Sequence, residues 1–212
     1  MMTNNDNIKE HMYLMAEIRK NGYAVRSFRD YSDFLSQIDC VGKTVNKTDV
    51  LVDSRYSAQL TSQEAMSAHT DDASVDIIAW YCQSPASEGG ESVCVDTRRL
   101  PILNDPVGSE KLTQIMVKRP REDDWTKAQL WPLLNRRRVY YAPWLVDREG
   151  LREEQEDLLG RFEKELGEVE KYTVKLGESD ALFIDNRRIL HGRNSFSENE
   201  SVRRLVRHWV VI

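Results

Sequence analysis

The chain has 212 residues, 40% hydrophobic and 31% charged, with 30 Lys and Arg against 35 Asp and Glu for a formal charge of −5. Such a length is most simply one domain spanning 1–212 with a substantial core, and the composition excludes a collagen, a coiled-coil rod and a largely disordered polypeptide. The acidic balance gives no general attraction to nucleic acid or to an anionic membrane. Residues 1–20 carry scattered charges and no continuous apolar run, so neither a secretory signal nor a membrane span can be drawn there, and a cytoplasmic setting is expected.

No internal repeat or low-complexity linker divides the chain. Residues 6–20 read as an amphipathic helix stopped by Gly22, residues 23–28 as a strand, residues 31–38 as a helix and residues 49–53 as a second strand. The texture then turns β, with a strand over 75–81, a turn-forming stretch over 85–90 and a strand over 91–95, the signature of a hairpin. Residues 98–103 and 108–116 suggest a helical excursion, followed by a charged loop over 118–124 and a strand over 138–141. The strongest helical pattern spans 150–171, with Leu151, Leu158, Phe162, Leu166 and Val169 on one face and an acidic surface that reads as solvated. Strands over 172–176, 181–184 and 204–212 finish the chain. This order predicts an α+β fold or a jelly roll flanked by helices, and not a doubly wound sheet. Cys40, Cys82 and Cys94, odd in number and widely spaced, read as reduced core residues.

The chain has four histidines: His11, His69, His191 and His208. In His69-Thr70-Asp71 the outer two residues of an extended segment face the same side, so imidazole and carboxylate can reach one metal ion. His191, after an apolar strand, is a candidate third ligand. Two histidines and one carboxylate with the opposite coordination positions open suit non-haem iron(II) and dioxygen. The His-x-Asp triplet alone reads more simply as a solvent-facing or hydrogen-bonded histidine beside an aspartate. No HExxH-type helix supports a zinc hydrolase, His11 lies near a fraying terminus, and His208 reads as a strand residue. Arginines crowd residues 136–138 and the stretch from Arg187 to Arg207, a local excess that in an acidic protein suits an anionic small ligand.

Ala68-His69-Thr70-Asp71, Pro85 with Gly89-Gly90-Glu91-Ser92, residues 177–180, Asp185-Asn186-Arg187-Arg188-Ile189-Leu190-His191-Gly192-Arg193 and Arg203-Arg204-Leu205-Val206-Arg207-His208-Trp209 occur in one order. That order resembles the iron(II)/2-oxoglutarate-dependent oxygenases of the taurine dioxygenase (TauD/TfdA) and clavaminate synthase-like group. The resemblance implies a double-stranded β-helix, a cupin-like jelly roll with flanking helices, in which His69, Asp71 and His191 bind Fe(II). It further implies that 2-oxoglutarate chelates the metal while an arginine on a late strand, roughly ten to fifteen residues beyond His191, holds its far carboxylate; Arg203 lies 12 residues on and Arg207 lies 16 on. Arg203 is the expected clamp and Arg207 a second contact, with Arg204 leaving the register open by one, and Ser92 offers a hydroxyl where the family often has threonine.

The activity so implied is oxidation, most simply hydroxylation, of an unactivated carbon in a small carboxylate-bearing metabolite such as an amino acid or a natural-product intermediate derived from one. O₂ and 2-oxoglutarate would be consumed and succinate and CO₂ released. Asp71 stands where halogenating relatives have a small residue, which favours hydroxylation or desaturation. The chain is short for the family, leaving little room for a substrate lid. An open pocket would suit a carrier-tethered substrate, and closure by a second copy would suit a homo-oligomer. The competing expectation is a catalytically silent jelly roll that binds a ligand or partner.

Overall fold

A computed structural model of the chain describes residues 4–51, 62–121, 124–197 and 203–212. Two sheets face each other. The first follows the order β1 (Tyr23–Ser27), β12 (Asp180–Asp185), β4 (Ile77–Ser84), β15 (Arg204–Val211) and β2 (Lys43–Leu51). The second runs β11 (Tyr172–Val174), β6 (Ser92–Asp96), β13 (Ile189–Arg193) and β3 (Met66–His69). All the pairings are antiparallel, and from β2 to β6 and again from β11 to β15 the strands of these two sheets alternate between them, which is the expected jelly roll. A two-stranded ladder of β5 (Glu88–Gly89) and β14 (Phe196–Ser197) lies apart from both.

Alternation along the strands sorts the core into layers. Ile78, Trp80 and Cys82 of β4 point between the sheets with Cys94, Leu182, Ile184, Ile189 and Leu205. Ile77, Ala79 and Tyr81 point outward, where Phe183 and Val210 join them beneath α1 (Asn4–Asn21) and α2 (Tyr31–Val41). Helix α2 starts at Asp30, whose carboxylate accepts from the Asp33 N–H at 2.9 Å, and buries Phe34, Ile38 and Val41 against that sheet.

The outer face of the second sheet, at Val95 and Leu190, is covered by everything between β6 and β11. This excursion contains α3 (Pro101–Asn104), α4 (Pro106–Leu112), the hairpin of β7 (Met116–Arg121) and β8 (Asp124–Pro132), the small hairpin of β9 (Leu134–Asn135) and β10 (Arg138–Val139), and α5 (Glu153–Glu168). Helix α5 buries Leu159, Phe162 and Leu166, with Phe162 edge-on to Tyr141 at 5.1 Å between ring centroids.

Several expectations are corrected. The charged loop over 118–124 is instead part of the β7–β8 ribbon, residues 122–123 lying outside the described residues. The ribbon survives its charge because Lys118 and Arg119 pair with Asp147 and Asp72. The helix over 108–116 ends at Leu112. Leu151 precedes α5, whose apolar face is set by Leu159. The strand placed at 49–53 begins at Lys43 and its last two residues lie outside the described set. Cys40 is exposed, whereas Cys82 and Cys94 are buried as expected. Strand β3 escaped the sequence reading, having no alternation of its own. Among the described residues no helix is long and apolar enough to cross a membrane.

His208 is a strand residue, as expected, and points from β15 under α2. The Tyr31 hydroxyl lies 2.8 Å from its Nε2, Thr44 Oγ1 lies 3.3 Å from Nδ1, and the Phe34 ring packs edge-on at 5.4 Å. Burial, with Lys47 adding to it and Asp39 opposing, lowers the pKa of this imidazole below its ordinary value. The unfolded chain therefore takes up a proton at a higher pH than the folded one, so stability falls as pH drops below about 6.5. Urea unfolding at pH 7.5 and pH 5.5 is expected to show that loss, and His208→Gln to reduce it.

Candidate metal centre and cosubstrate pocket

Register in the second sheet builds the site. His69 pairs with His191, and His191 with Cys94 on its other side, so both imidazoles stand in one row across the sheet's inner face. Between His191 and Arg193 the ladder to β3 shifts register, and the cause is Gly192. A Cβ there would sit 2.5 Å from the Met66 carbonyl oxygen, so only glycine lets β3 approach this closely.

Asp71 is brought to the same point by a staple. Its N–H donates to Asn186 Oδ1 at 3.0 Å, and Asn186 Nδ2 donates to the carbonyls of Asp72 at 3.0 Å and Val75 at 3.1 Å. The turn before β13 thus holds the loop after β3. One ligand atom from each of His69, Asp71 and His191 lies within 4.8 Å of the other two, and Asp71 Oδ1 is 3.7 Å from each Nε2. That separation is too long for a hydrogen bond and close to the spacing of donors around one ion.

Protonation follows from the partners. The Ser67 carbonyl, 2.8 Å from His69 Nδ1, can only accept, so Nδ1 carries the proton and a lone pair on Nε2 faces the site. Burial first, then the neighbouring His69, pulls the pKa of His191 down to about 3, which keeps that ring neutral too. Burial pushes the Asp71 carboxyl the other way, but the Arg207 cation overcomes it and holds Asp71 ionised, far below the usual carboxylate range. Arg207 Nη1 and Trp209 Nε1 donate to Asp71 Oδ2 at 3.0 and 2.7 Å, leaving Oδ1 toward the imidazoles. Two imidazoles and one carboxylate, gathered among the described residues, make a donor set fit for a divalent iron-type ion.

Beside the two histidines a pocket of ≈ 490 Å³ runs between the sheets, its lining including Ser92, Arg193, Arg203 and Arg207. Alternation along β15 resolves the register: Arg203, Leu205 and Arg207 face this pocket, whereas Arg204 is exposed on the outside. Arg203 is buried, its guanidinium 5.3 Å from the Phe196 ring centroid, and Gly90, at φ 71, leaves room for it since a Cβ there would lie 3.3 Å from its Nε. Arg193 Nη2 donates to the carbonyls of Ser62 and Glu64 at 2.6 and 2.7 Å, so it ties down the approach to β3. Arg188 is wholly structural: it pairs with buried Asp96 at 2.5 Å and donates to the carbonyls of Arg19 and Lys20 at the end of α1.

Sequence reading missed Asn186, Trp209 and Trp144 as contributors. Trp209 lies two residues beyond Arg207 on the same strand face, a signal that was available. Trp144, 5.1 Å from the His69 ring, comes from the excursion, and nothing local marks it. The excursion between β6 and β11 thus brings one aromatic ring, Trp144, beside the site from within this chain.

The sequence profile of the "Taurine catabolism dioxygenase TauD, TfdA family" matches residues 112–209, which include the segment around His191 and the arginine strand. Among solved structures, the non-heme iron oxygenase OrfP, as a D157A mutant in complex with (3S)-hydroxy-L-Arg, superposes with a TM-score of 0.78 at 14% identity over 99% of this chain and 80% of that one. An asparagine oxygenase in complex with Fe(II), 2S,3S-3-hydroxyasparagine and succinate gives 0.77 at 15% identity over 96% and 79%. PvcB from Pseudomonas aeruginosa gives 0.70 at 16% identity over 95% and 80%. No curated protein matches the sequence. The resemblance to the TauD/TfdA oxygenases is therefore supported twice, by sequence over the second half and by fold over nearly the whole chain.

Asn186 is buried and satisfies three backbone groups at once. Asn186→Ala is expected to cost about 3 kcal/mol of stability through the groups left unpaired, measured by denaturant unfolding of the metal-free protein. An unchanged midpoint would show that the loop is held by other contacts.

Proposed function

We propose that this protein is a non-haem iron(II)- and 2-oxoglutarate-dependent oxygenase, a single domain over 1–212, that hydroxylates an unactivated carbon of a small amino-acid-like substrate in the cytoplasm. The observation that carries this reading is the convergence of His69 Nε2, Asp71 Oδ1 and His191 Nε2 beside a pocket whose lining includes Arg203. These three atoms would be the metal ligands. Arg203, with the Ser92 hydroxyl, would take the far carboxylate of 2-oxoglutarate, since a buried guanidinium suits bidentate carboxylate binding, whereas Arg207, expected as a second contact, is engaged by Asp71. Iron(II) bound there, with 2-oxoglutarate and O₂, supplies the oxidising power for C–H hydroxylation while 2-oxoglutarate leaves as succinate and CO₂.

The chain's own contribution is placement. Arg207 and Trp209 occupy Asp71 Oδ2, so the carboxylate presents one oxygen and leaves coordination positions open. The Ser67 carbonyl fixes the tautomer and angle of His69. Trp80, itself buried, packs on His191 at 4.8 Å and the partly exposed Trp144 on His69 at 5.1 Å, apolar ring contacts that hold the two imidazoles in place. The bound hydroxy-arginine and hydroxyasparagine in the OrfP and asparagine oxygenase structures, and the isonitrile synthetic pathway of PvcB, support an amino acid or a metabolite derived from one, free or carrier-tethered. The retained Asp71 favours hydroxylation over halogenation. A homo-oligomer is compatible with this reading.

Anaerobic titration of the metal-free protein with Fe(II) and 2-oxoglutarate is expected to give a weak visible charge-transfer band at one equivalent. Arg203→Ala should raise the 2-oxoglutarate concentration needed by at least about tenfold, from loss of a buried charge-assisted contact, and His69→Ala or His191→Ala should abolish the band. Iron binding without any band in the wild-type protein would sink the proposal.

A further inference from the structure

On the side of Asp71 away from Arg203 lies a second cleft, of ≈ 770 Å³ against ≈ 490 Å³ for the cosubstrate pocket. Its walls include Asp71, Trp131, Asn135, Arg136, Arg138 and Arg187. The charges there are unevenly matched. Arg187 pairs with Asp185 at 2.9 Å, and Asp76 stands 3.5 Å from Arg187 and 3.8 Å from Arg138. Asp71 is taken by Arg207. Arg136 has no ion-pair or hydrogen-bond partner among the described residues.

The backbone adds an independent observation. Asn135 and Arg138 pair across the β9–β10 hairpin, so Arg136 and Arg137 form its two-residue turn, and Arg136 sits at φ 58. A glycine or asparagine is the ordinary occupant of such a position. Here an arginine is held in a left-handed conformation at the rim of a cationic cleft, and strain retained beside a site is a pointer to use.

We infer that this cleft binds a second anionic group of the substrate, a phosphate or carboxylate remote from the carbon that reacts, with Arg136 as its principal contact and Arg138 beside it. The inference rests on the oxygenase reading for the word substrate, but the cleft's preference for anions stands on its own residues. Guanidinium groups bind both oxyanions through paired N–H donors.

The test is anaerobic isothermal titration of the protein loaded with Fe(II) and 2-oxoglutarate, comparing O-phospho-L-serine with L-serine and L-glutamate with L-glutamine. In at least one pair the anionic member should bind about tenfold tighter or more, and the pair that shows it identifies phosphate or carboxylate. Arg136→Gly keeps the turn and removes the cation, so the preference should fall to about one without a lower melting temperature. Arg136→Asn, which also tolerates left-handed backbone, repeats the comparison should glycine loosen the hairpin. An undiminished preference in both variants, or no preference in the wild-type protein, overturns the inference. The charge-transfer band, read in the same wild-type samples, reports on the oxygenase reading separately: no band with an intact preference sinks that reading alone, and a band without a preference sinks the cleft alone.

Discussion

The architecture turns on burying one carboxylate. Asp71 lies between two apolar sheet faces, where an unpaired charge would cost several kcal/mol, about 3–5 on the scale of a broken buried pair. Compensation comes from the opposite sheet: Arg207 and Trp209 of β15 both donate to Oδ2. The imidazoles that share the site come from the other side, on β3 and β13. The polar centre therefore ties the two sheets of the jelly roll together at one end, and any shift of β15 against β13 would separate the charge from its partners.

That dependence explains why register is so tightly fixed. Side chains alternate along a strand, so a slip of one residue would turn Arg207 out to α2 and bring His208 into the pocket. The outward face of β15 resists such a slip because His208 is bonded to Tyr31 and Val210 is packed beneath the helices. In the second sheet the equivalent lock is Gly192, whose missing side chain permits the close passage of β3 and the shift that aligns His69 with His191. Local contacts on the outer faces thus hold the inner geometry before any ligand enters.

The sequence made this end of the molecule legible and left the cover obscure, for physical reasons. His69, Asp71, His191 and the arginines of 203–207 belong to short patterns in which chemistry and strand periodicity coincide, and their mutual placement follows from pairing. The β7–β8 ribbon reads as a loop because its strands are charged and are held by partners distant in sequence, Asp147 and Asp72. Trp144 faces His69 only because the Tyr141 backbone is bonded to Thr70, a contact across 71 residues. Local patterning carries no trace of such a link. Asn186 was visible within its motif, yet its bonds to Asp71, Asp72 and Val75 depend on a loop more than a hundred positions away.

Arginine in this chain shows how little a residue type says before its acceptor is known. Arg188 is spent on Asp96 and the end of α1, Arg193 on two carbonyls before β3, and Arg207 on the carboxylate at the centre of the site. Counted together on the sequence they look like one basic region in an acidic protein. Folded, Arg188, Arg193 and Arg207 are clamps bonded to acceptors within the chain, whereas Arg136, with no ion-pair or hydrogen-bond partner among the described residues, is presented to the second cleft. A guanidinium whose acceptor is built into the chain fixes structure, whereas one presented to a cavity can choose among incoming anions. The net charge of −5 conceals this division, because it sums the acids bonded to clamps, such as Asp71 and Asp96, with those on the solvated face of α5. Anion recognition in an acidic protein of this kind is a property of where the pairing stops.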